Sequence, residues 1–471
     1  MQFKNPLKPK PNSQYPWRLA GFLYLLTWGP VFLFLRARFW DDWYVFYTKN
    51  SVDAKKWWNG EGFPPYVYEV QRIVLRSNPI AYHLASFVIY FVLGWLTFRI
   101  LSKYQYFAIE TNQRIAILSS ILPINSARVS MIILPYTISL FAFMIAWNMW
   151  MSKRKSMVFV SLLVFMFSFY TWSLIPFLIL PVAGSLAMYL REVPRKQFRN
   201  MPRLLLILLA PAYYFFISNR LWPPAPERLD YFTPQINGLI RAALLLIMCL
   251  VFSLWLYSQQ RMGRVAPNRV VLLSTGLFSI AFGSVAYFAS GRLVDLSEWL
   301  SFLVPNKSDW SSRSQLLHGF GLSLFIVGMI GEVDSALKRI AYRSVIGFCV
   351  LLNFSFLSGY LLDSLKQKSV IKAFSESELV HDSKVIMIDD SLALPFNARG
   401  RGVRSYEWVG MLLMATGDVK TVVYKGYIDC SSEENVPDLL VTIYPQNGRL
   451  VAQMTMNAKM VLQTRVIAPC S

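Results

Sequence analysis

Two adjacent carboxylates, Asp41 and Asp42, stand in the stretch RARFWDDWYVFY (36–47), bracketed by Trp40 and Trp43 and preceded by Arg36 and Arg38. Adjacent carboxylates repel, so one of the two tends to keep its proton unless a cation compensates. A carboxylate tuned in that way is suited to taking a proton from a hydroxyl as general base. The flanking rings of Trp40, Trp43 and Tyr44, with the nearby Arg38, offer flat apolar faces and a charge of the kind that hold a carbohydrate acceptor. The plainer reading is a pair of interfacial charges beside an aromatic belt, where Trp and Tyr gather at a membrane surface. Which reading holds depends on the elements that position the pair.

Those elements are membrane spans. The 471-residue chain is 55% hydrophobic and only 15% charged, with a mean hydropathy of +0.39. Soluble domains carry about 25% charged residues, whereas this chain repeats apolar runs approaching the roughly 20 residues that cross a bilayer. The fold class expected is a mainly α, polytopic membrane protein of about eleven transmembrane helices with a small C-terminal α/β or β-rich domain. The runs lie near 17–35, 80–101, 113–125, 131–150, 157–172, 174–190, 203–218, 239–257, 270–289, 316–331 and 342–362. The leader KNPLKPKPNSQYPWR precedes an apolar run with no small-residue cleavage site, so that run reads as the first span with a cytoplasmic N-terminus.

The net charge of +21 does not form one stripe. Basic clusters such as SKRKS (152–156), REVPRKQFR (191–199) and RMGRVAPNR (261–269) recur between apolar runs. This is the pattern that fixes topology by retaining Lys and Arg on the cytoplasmic side. It argues against nucleic acid as a partner and for anionic membrane lipids. An odd number of crossings places the C-terminus outside, together with the first long loop, 36–79.

Past Asp363 the composition changes. Residues 1–365 form the expected transmembrane domain and 366–471 a soluble extracytoplasmic domain, with KVIMIDD (384–390), KTVVYKGYI (420–428) and LLVTIYP (439–445) reading as strands. Cys249 and Cys349 fall in apolar runs as core residues, while Cys430 and Cys470 share the tail, where an oxidising space favours one disulfide between them. NARGRGVRSYEW (397–408) reads as a solvated basic loop, with approach to the site as the alternative.

A first span followed by an outward loop opening on paired acids, surface-lying aromatic segments, many further spans and a C-terminal extracytoplasmic domain resembles the GT-C superfamily of integral membrane glycosyltransferases. VIMIDDSLALPFNARGRGVRSYEWVGML (385–412) is similar to the end region of bacterial family-39-like members. The resemblance implies sugar transfer from a polyprenyl-phosphate-linked donor to a glycan or lipid-linked acceptor. It implies Asp41 as base, with Asp42 as its supporting or metal-contacting neighbour, or the two in reversed order, since both are Asp. It leaves open a divalent cation (Mg or Mn) on Asp41 and Asp42. The outer compartment and the expected tail disulfide fit a bacterial inner membrane facing the periplasm.

A phosphate-bearing donor needs cations near the outer helix ends, because charge-assisted bonds to phosphate are strong and Arg makes them in pairs. Arg128, in PINSARVSM, and Arg313, in DWSSRSQLLHGFG with His318 about one turn on, are the leading candidates, followed by Arg292 and Arg228. Three histidines in all, scattered at 83, 318 and 381, make no zinc-type cluster. A transporter or flippase, or a polymerase of lipid-linked saccharides, is the alternative reading.

Overall fold

The computed structural model describes residues 14–43, 74–75, 78–190, 203–221, 234–290, 315–331, 336–398, 401–418, 421–424, 438–447 and 449–456. Within them the chain is mainly helical, with a small C-terminal sheet. The helices are α1 Trp17–Trp28, α2 Pro79–Tyr104, α3 Ile109–Ile121, α4 Leu134–Trp150, α5 Lys155–Ser168, α6 Ile179–Tyr189, α7 Ile236–Arg261, α8 Pro267–Ala289, α9 His318–Ile330, α10 Ala336–Ser375 and α11 Ser405–Thr416. The strands are β1 Val385–Asp389, β2 Thr421–Tyr424, β3 Leu439–Gln446 and β4 Arg449–Met456.

Among the described residues, six helical segments are long and apolar enough to cross a membrane: Trp17–Phe34, Pro79–Tyr104, Met131–Trp150, Ile236–Arg261, Pro267–Ala289 and Ala336–Ser375. Lys155–Ser168, Leu174–Tyr189, Arg203–Ile217 and Gln315–Ile330 are apolar but shorter. The run expected at 113–125 is α3, whose 13 residues rise only about 20 Å, short of a hydrocarbon core of about 30 Å. Each expected span has a helical counterpart, and among the described residues six of these have the length of a full crossing.

The helix starts follow local chemistry. Asn78 caps α2 by accepting from the Ile80 amide at 3.1 Å, with Pro79 at the first helical position, where its missing N–H costs nothing. Pro267 opens α8 in the same way. α8 and α9 pack backbone to backbone through glycines: a Cβ on Gly276 would lie 2.7 Å from the Phe325 amide and 2.8 Å from the Gly321 carbonyl. Small residues permit this approach where apolar burial alone gives helices no reason to associate.

Side chains tie the helix ends into two opposite sets. At one end Gln113 donates to the Gln14 carbonyl, Lys103 to Asn148, Arg203 to Ser152, Arg269 to Gly328 and Tyr342 to Arg114. At the other, the Gln235 backbone N–H donates to the Ala289 carbonyl, the Gln315 side chain accepts from the Asn125 amide, and His83 sits between the Leu35 and Val129 carbonyls, 2.7 Å from each. The first set is rich in Arg and Lys.

The C-terminal domain joins the second end. α10 has 40 residues, about 60 Å, so its last turns project past any bilayer it spans. Their inner face carries Asp363, Lys366, Gln367, Val370 and Phe374, all buried. The division expected at 365/366 therefore falls inside a continuous helix. The sheet has order β2-β1-β3-β4, with β1 parallel to β2 and to β3 and with β3 and β4 forming an antiparallel hairpin. α11 provides the crossover from β1 to β2, as a parallel pair demands. The hairpin turns through Asn447, at φ +50°, and the sequence there reads Asn-Gly, the residue pair that suits such turns. Leu439, Val441 and Ile443 alternate inward along β3 and meet Trp408, Met411 and Leu412 of α11 and Val370 and Phe374 of α10 in one core.

Candidate functional site

The paired acids sit on a tight turn just after the first span. Asp42 N–H bonds the Phe39 carbonyl at 3.2 Å and Trp43 N–H the Trp40 carbonyl at 3.2 Å, and Trp40 adopts φ +53°. A bulky residue in this left-handed region costs about 1–2 kcal/mol, so neighbouring bonds must hold it.

Asp42 is fully buried. Its Oδ2 accepts from the Phe39 amide at 3.0 Å, and its Oδ1 accepts from Ser130 Oγ at 2.6 Å and the Ile132 amide at 3.0 Å. Burial pushes its pKa up to about 6, against the pull of the Ser130 hydroxyl and the surrounding amides. The displacement thus comes from lost water, a different cause from the mutual repulsion of the two acids expected from the sequence. Asp42 is a clamp joining two turns, 37–43 and 126–133. Asp41 is only partly buried, and its Oδ1 accepts a 2.5 Å bond from the Tyr406 hydroxyl on α11. Its Oδ2 accepts from no donor among the described residues.

A buried charge network fixes this turn from the other side. Arg401 Nε donates to Asp363 at 2.9 Å, and its Nη1 bonds both oxygens of Glu407 at 2.7 and 2.9 Å. Glu407 also accepts from the Trp40 amide at 3.2 Å and the Arg404 amide at 3.0 Å. Arg401 stacks over the Trp40 ring at 5.3 Å, and Gln367 donates to the Arg38 carbonyl at 2.9 Å. Beside it, Lys366 donates to Asp390 at 3.0 Å and Asn397 at 2.6 Å. The two carboxylates beside Arg401 outweigh its burial and raise its guanidinium pKa. Removing one partner of such a set strands a charge out of water.

Arg128, on the 3-10 turn Ser126–Val129, is only 6% exposed. Its guanidinium lies over Tyr90 at 4.2 Å and against Trp28, and its Nη2 has no hydrogen-bond partner among the described residues. Burial lowers its pKa to about 10, which leaves it a cation at neutral pH. It lines a cavity of about 40 Å³ with Tyr90, Asn125, Leu140, Phe177 and Phe320.

Asp41, Asp42, Trp40, Trp43, Arg38 and Arg128 thus gather at one end of the bundle. The tryptophans are not acceptor platforms, however: Trp40 packs on Phe39, Tyr360 and Arg401. Trp43, 1% exposed, fills the C-terminal core against Gly410. Buried rings have no free face for a sugar. Arg38 lies over the Trp43 ring at 5.5 Å. His318 is not among the residues lining the Arg128 cavity; it meets Ser284 Oγ at 2.8 Å and is buried. Tyr44, Arg228, Arg292, Arg313, Cys430 and Cys470 lie outside the described residues, as does most of the loop 36–79. Cys249 and Cys349 are free and buried.

Sequence reasoning missed Tyr406, Arg401, Glu407, Asp363 and His83. The stretch 397–408, read as a solvated loop, in fact buries Arg401 and Glu407. A Glu at the third helical position, ahead of the apolar run WVGMLL, is the signature that marked this helix N-terminus. Among the described residues no three His, Cys, Asp or Glu side chains are grouped to hold a metal. Both oxygens of Asp42 accept protein hydrogens. The chain matches no protein-family model, and neither a curated protein nor a solved structure is significantly similar to it.

Proposed function

We propose that this chain is an integral membrane glycosyltransferase. It moves a sugar from a polyprenyl-phosphate donor to a hydroxyl of a glycan or lipid-linked acceptor at the bundle end that carries the C-terminal domain. The observation that carries the reading is the Asp42 clamp. It binds the turn presenting Asp41 directly to the turn bearing Arg128, so a partly exposed carboxylate and a buried cation are held as one unit.

In this reading Asp41 Oδ2 takes the proton of the acceptor hydroxyl as its oxygen attacks the anomeric carbon. The bond from that carbon to the phosphate oxygen breaks, and the phosphate leaves with the electron pair. A phosphate is already stable as an anion, so positioning and charge stabilisation matter more than acid help. Arg128 supplies the cation on the donor side, with Arg292 and Arg313, between the runs 270–289 and 316–331 of the sequence, as further candidates. The crossing count of eleven, the bacterial inner membrane and the outward-facing site belong to the same reading. A transporter or flippase instead places coupling charges at mid-membrane, whereas Arg128 and the acids cluster at the bundle end.

Reconstitution with radiolabelled sugar on polyprenyl phosphate tests the reading. Asp41→Asn should lower turnover by about 10²–10⁴-fold while donor binding persists. Full transfer by Asp41→Asn would overturn Asp41 as the base.

A further inference from the structure

The bond between Tyr406 and Asp41 crosses 365 positions of sequence and joins the soluble domain to the first loop. Both partners are pinned by their neighbours. Next to Tyr406, Glu407 is buried and holds the Trp40 amide, the Arg404 amide and the Arg401 fork. Next to Asp41, Asp42 is buried and holds Ser130 and Ile132, while Trp40 is kept in its left-handed conformation. The side-chain bond therefore sits between two rigid backbone attachments. It occupies one oxygen of a carboxylate whose other oxygen accepts from no donor among the described residues.

We propose that Tyr406 is a positioning residue of the site: its hydroxyl holds Asp41 in one rotamer with Oδ2 turned outward, so the C-terminal domain completes a centre otherwise built by the membrane helices. A carboxylate on a short side chain otherwise exchanges rotamers freely, and fixing one removes a search from every turnover. Burial and the adjoining carboxylate raise the pKa of the Tyr406 phenol, keeping it a donor across the physiological range. The inference rests on the reading of Asp41 as base for its catalytic meaning, and on geometry alone for the hold itself.

Two measurements separate these layers. The first needs no substrate. Full-length protein in detergent is treated with a water-soluble carbodiimide and glycinamide, and the Asp41 adduct is followed by peptide mass spectrometry. Tyr406→Phe keeps the ring and removes only the hydroxyl. It should speed Asp41 labelling by about threefold to tenfold, the range set by one lost hydrogen bond, with Asp42 unlabelled in both proteins. Equal rates at Asp41 would overturn the proposal.

The second measurement is sugar transfer from polyprenyl phosphate. Tyr406→Phe should lower kcat by about tenfold or more at unchanged KM for the donor and unchanged melting midpoint. Unchanged kcat alongside an inactive Asp41→Asn would likewise overturn it. If Asp41→Asn transfers normally while Tyr406→Phe still exposes Asp41 to labelling, the base assignment fails and the hold stands.

Discussion

The substitution Asp42→Asn tests whether a buried, ionised clamp joins the two turns. Asp42 has a pKa of about 6 in the fold against an ordinary value of 3.8. A raised carboxylate pKa means that the folded state binds the proton more readily than the unfolded chain. Ionised Asp42 therefore costs stability above pH 6, and acidification from 6 towards 3.8 relieves that cost. The full displacement corresponds to about 3 kcal/mol, of which about 2 kcal/mol is recovered between pH 7.5 and 4.5. An asparagine at this position carries no charge to relieve. Its amide oxygen can still accept from Ser130 and Ile132, but its NH₂ then faces the Phe39 amide, donor against donor, at a cost of about 1–3 kcal/mol.

At pH 7.5 the two effects nearly cancel, and the melting midpoints should lie close together. On acidification to pH 4.5 the wild type should gain on the variant by about 2 kcal/mol, several degrees in midpoint. The assay is a fluorescence melt in detergent at matched ionic strength, recorded as the difference between the two proteins so that other titrating groups cancel. A flat difference, or a variant that gains on the wild type in acid, would refute the claim that Asp42 is ionised and cut off from water.

Other expectations follow from the same contacts. Arg401→Met should cost about 3–5 kcal/mol by stranding Asp363 and Glu407, seen as a lower melting midpoint and faster proteolysis between α10 and α11. Gly410→Ala would bring a Cβ to 2.7 Å from Trp43 Cε3; it should destabilise by about 1–3 kcal/mol, and Trp43→Leu in the same chain should restore much of the loss. Arg128→Met should leave the melting midpoint unchanged or raised, since it removes a buried cation with an unpaired nitrogen. It should nevertheless weaken retention of a polyprenyl-phosphate ligand by tenfold or more, about 1.4 kcal/mol. A higher midpoint with undiminished retention would remove Arg128 from the donor side.

The helical bundle and the start of the C-terminal sheet were legible in the sequence, because hydrophobic run length and two-residue alternation are local properties. Even there the lengths of α3, α5, α6 and α9 fall short of a full span, since composition does not report where a helix breaks. The Asp41–Asp42 pair was visible as a singular feature, but its division of labour was not: the two residues have the same type and adjacent positions. Only the tertiary structure turned Asp42 inward onto Ser130 and Asp41 outward onto Tyr406. It also took Trp40 and Trp43 out of contact with solvent and brought Arg401, Glu407 and Asp363 to the same turn. The physical reason is that burial and long-range pairing are decided by what folds back from hundreds of residues away, and a local pattern holds no record of that partner.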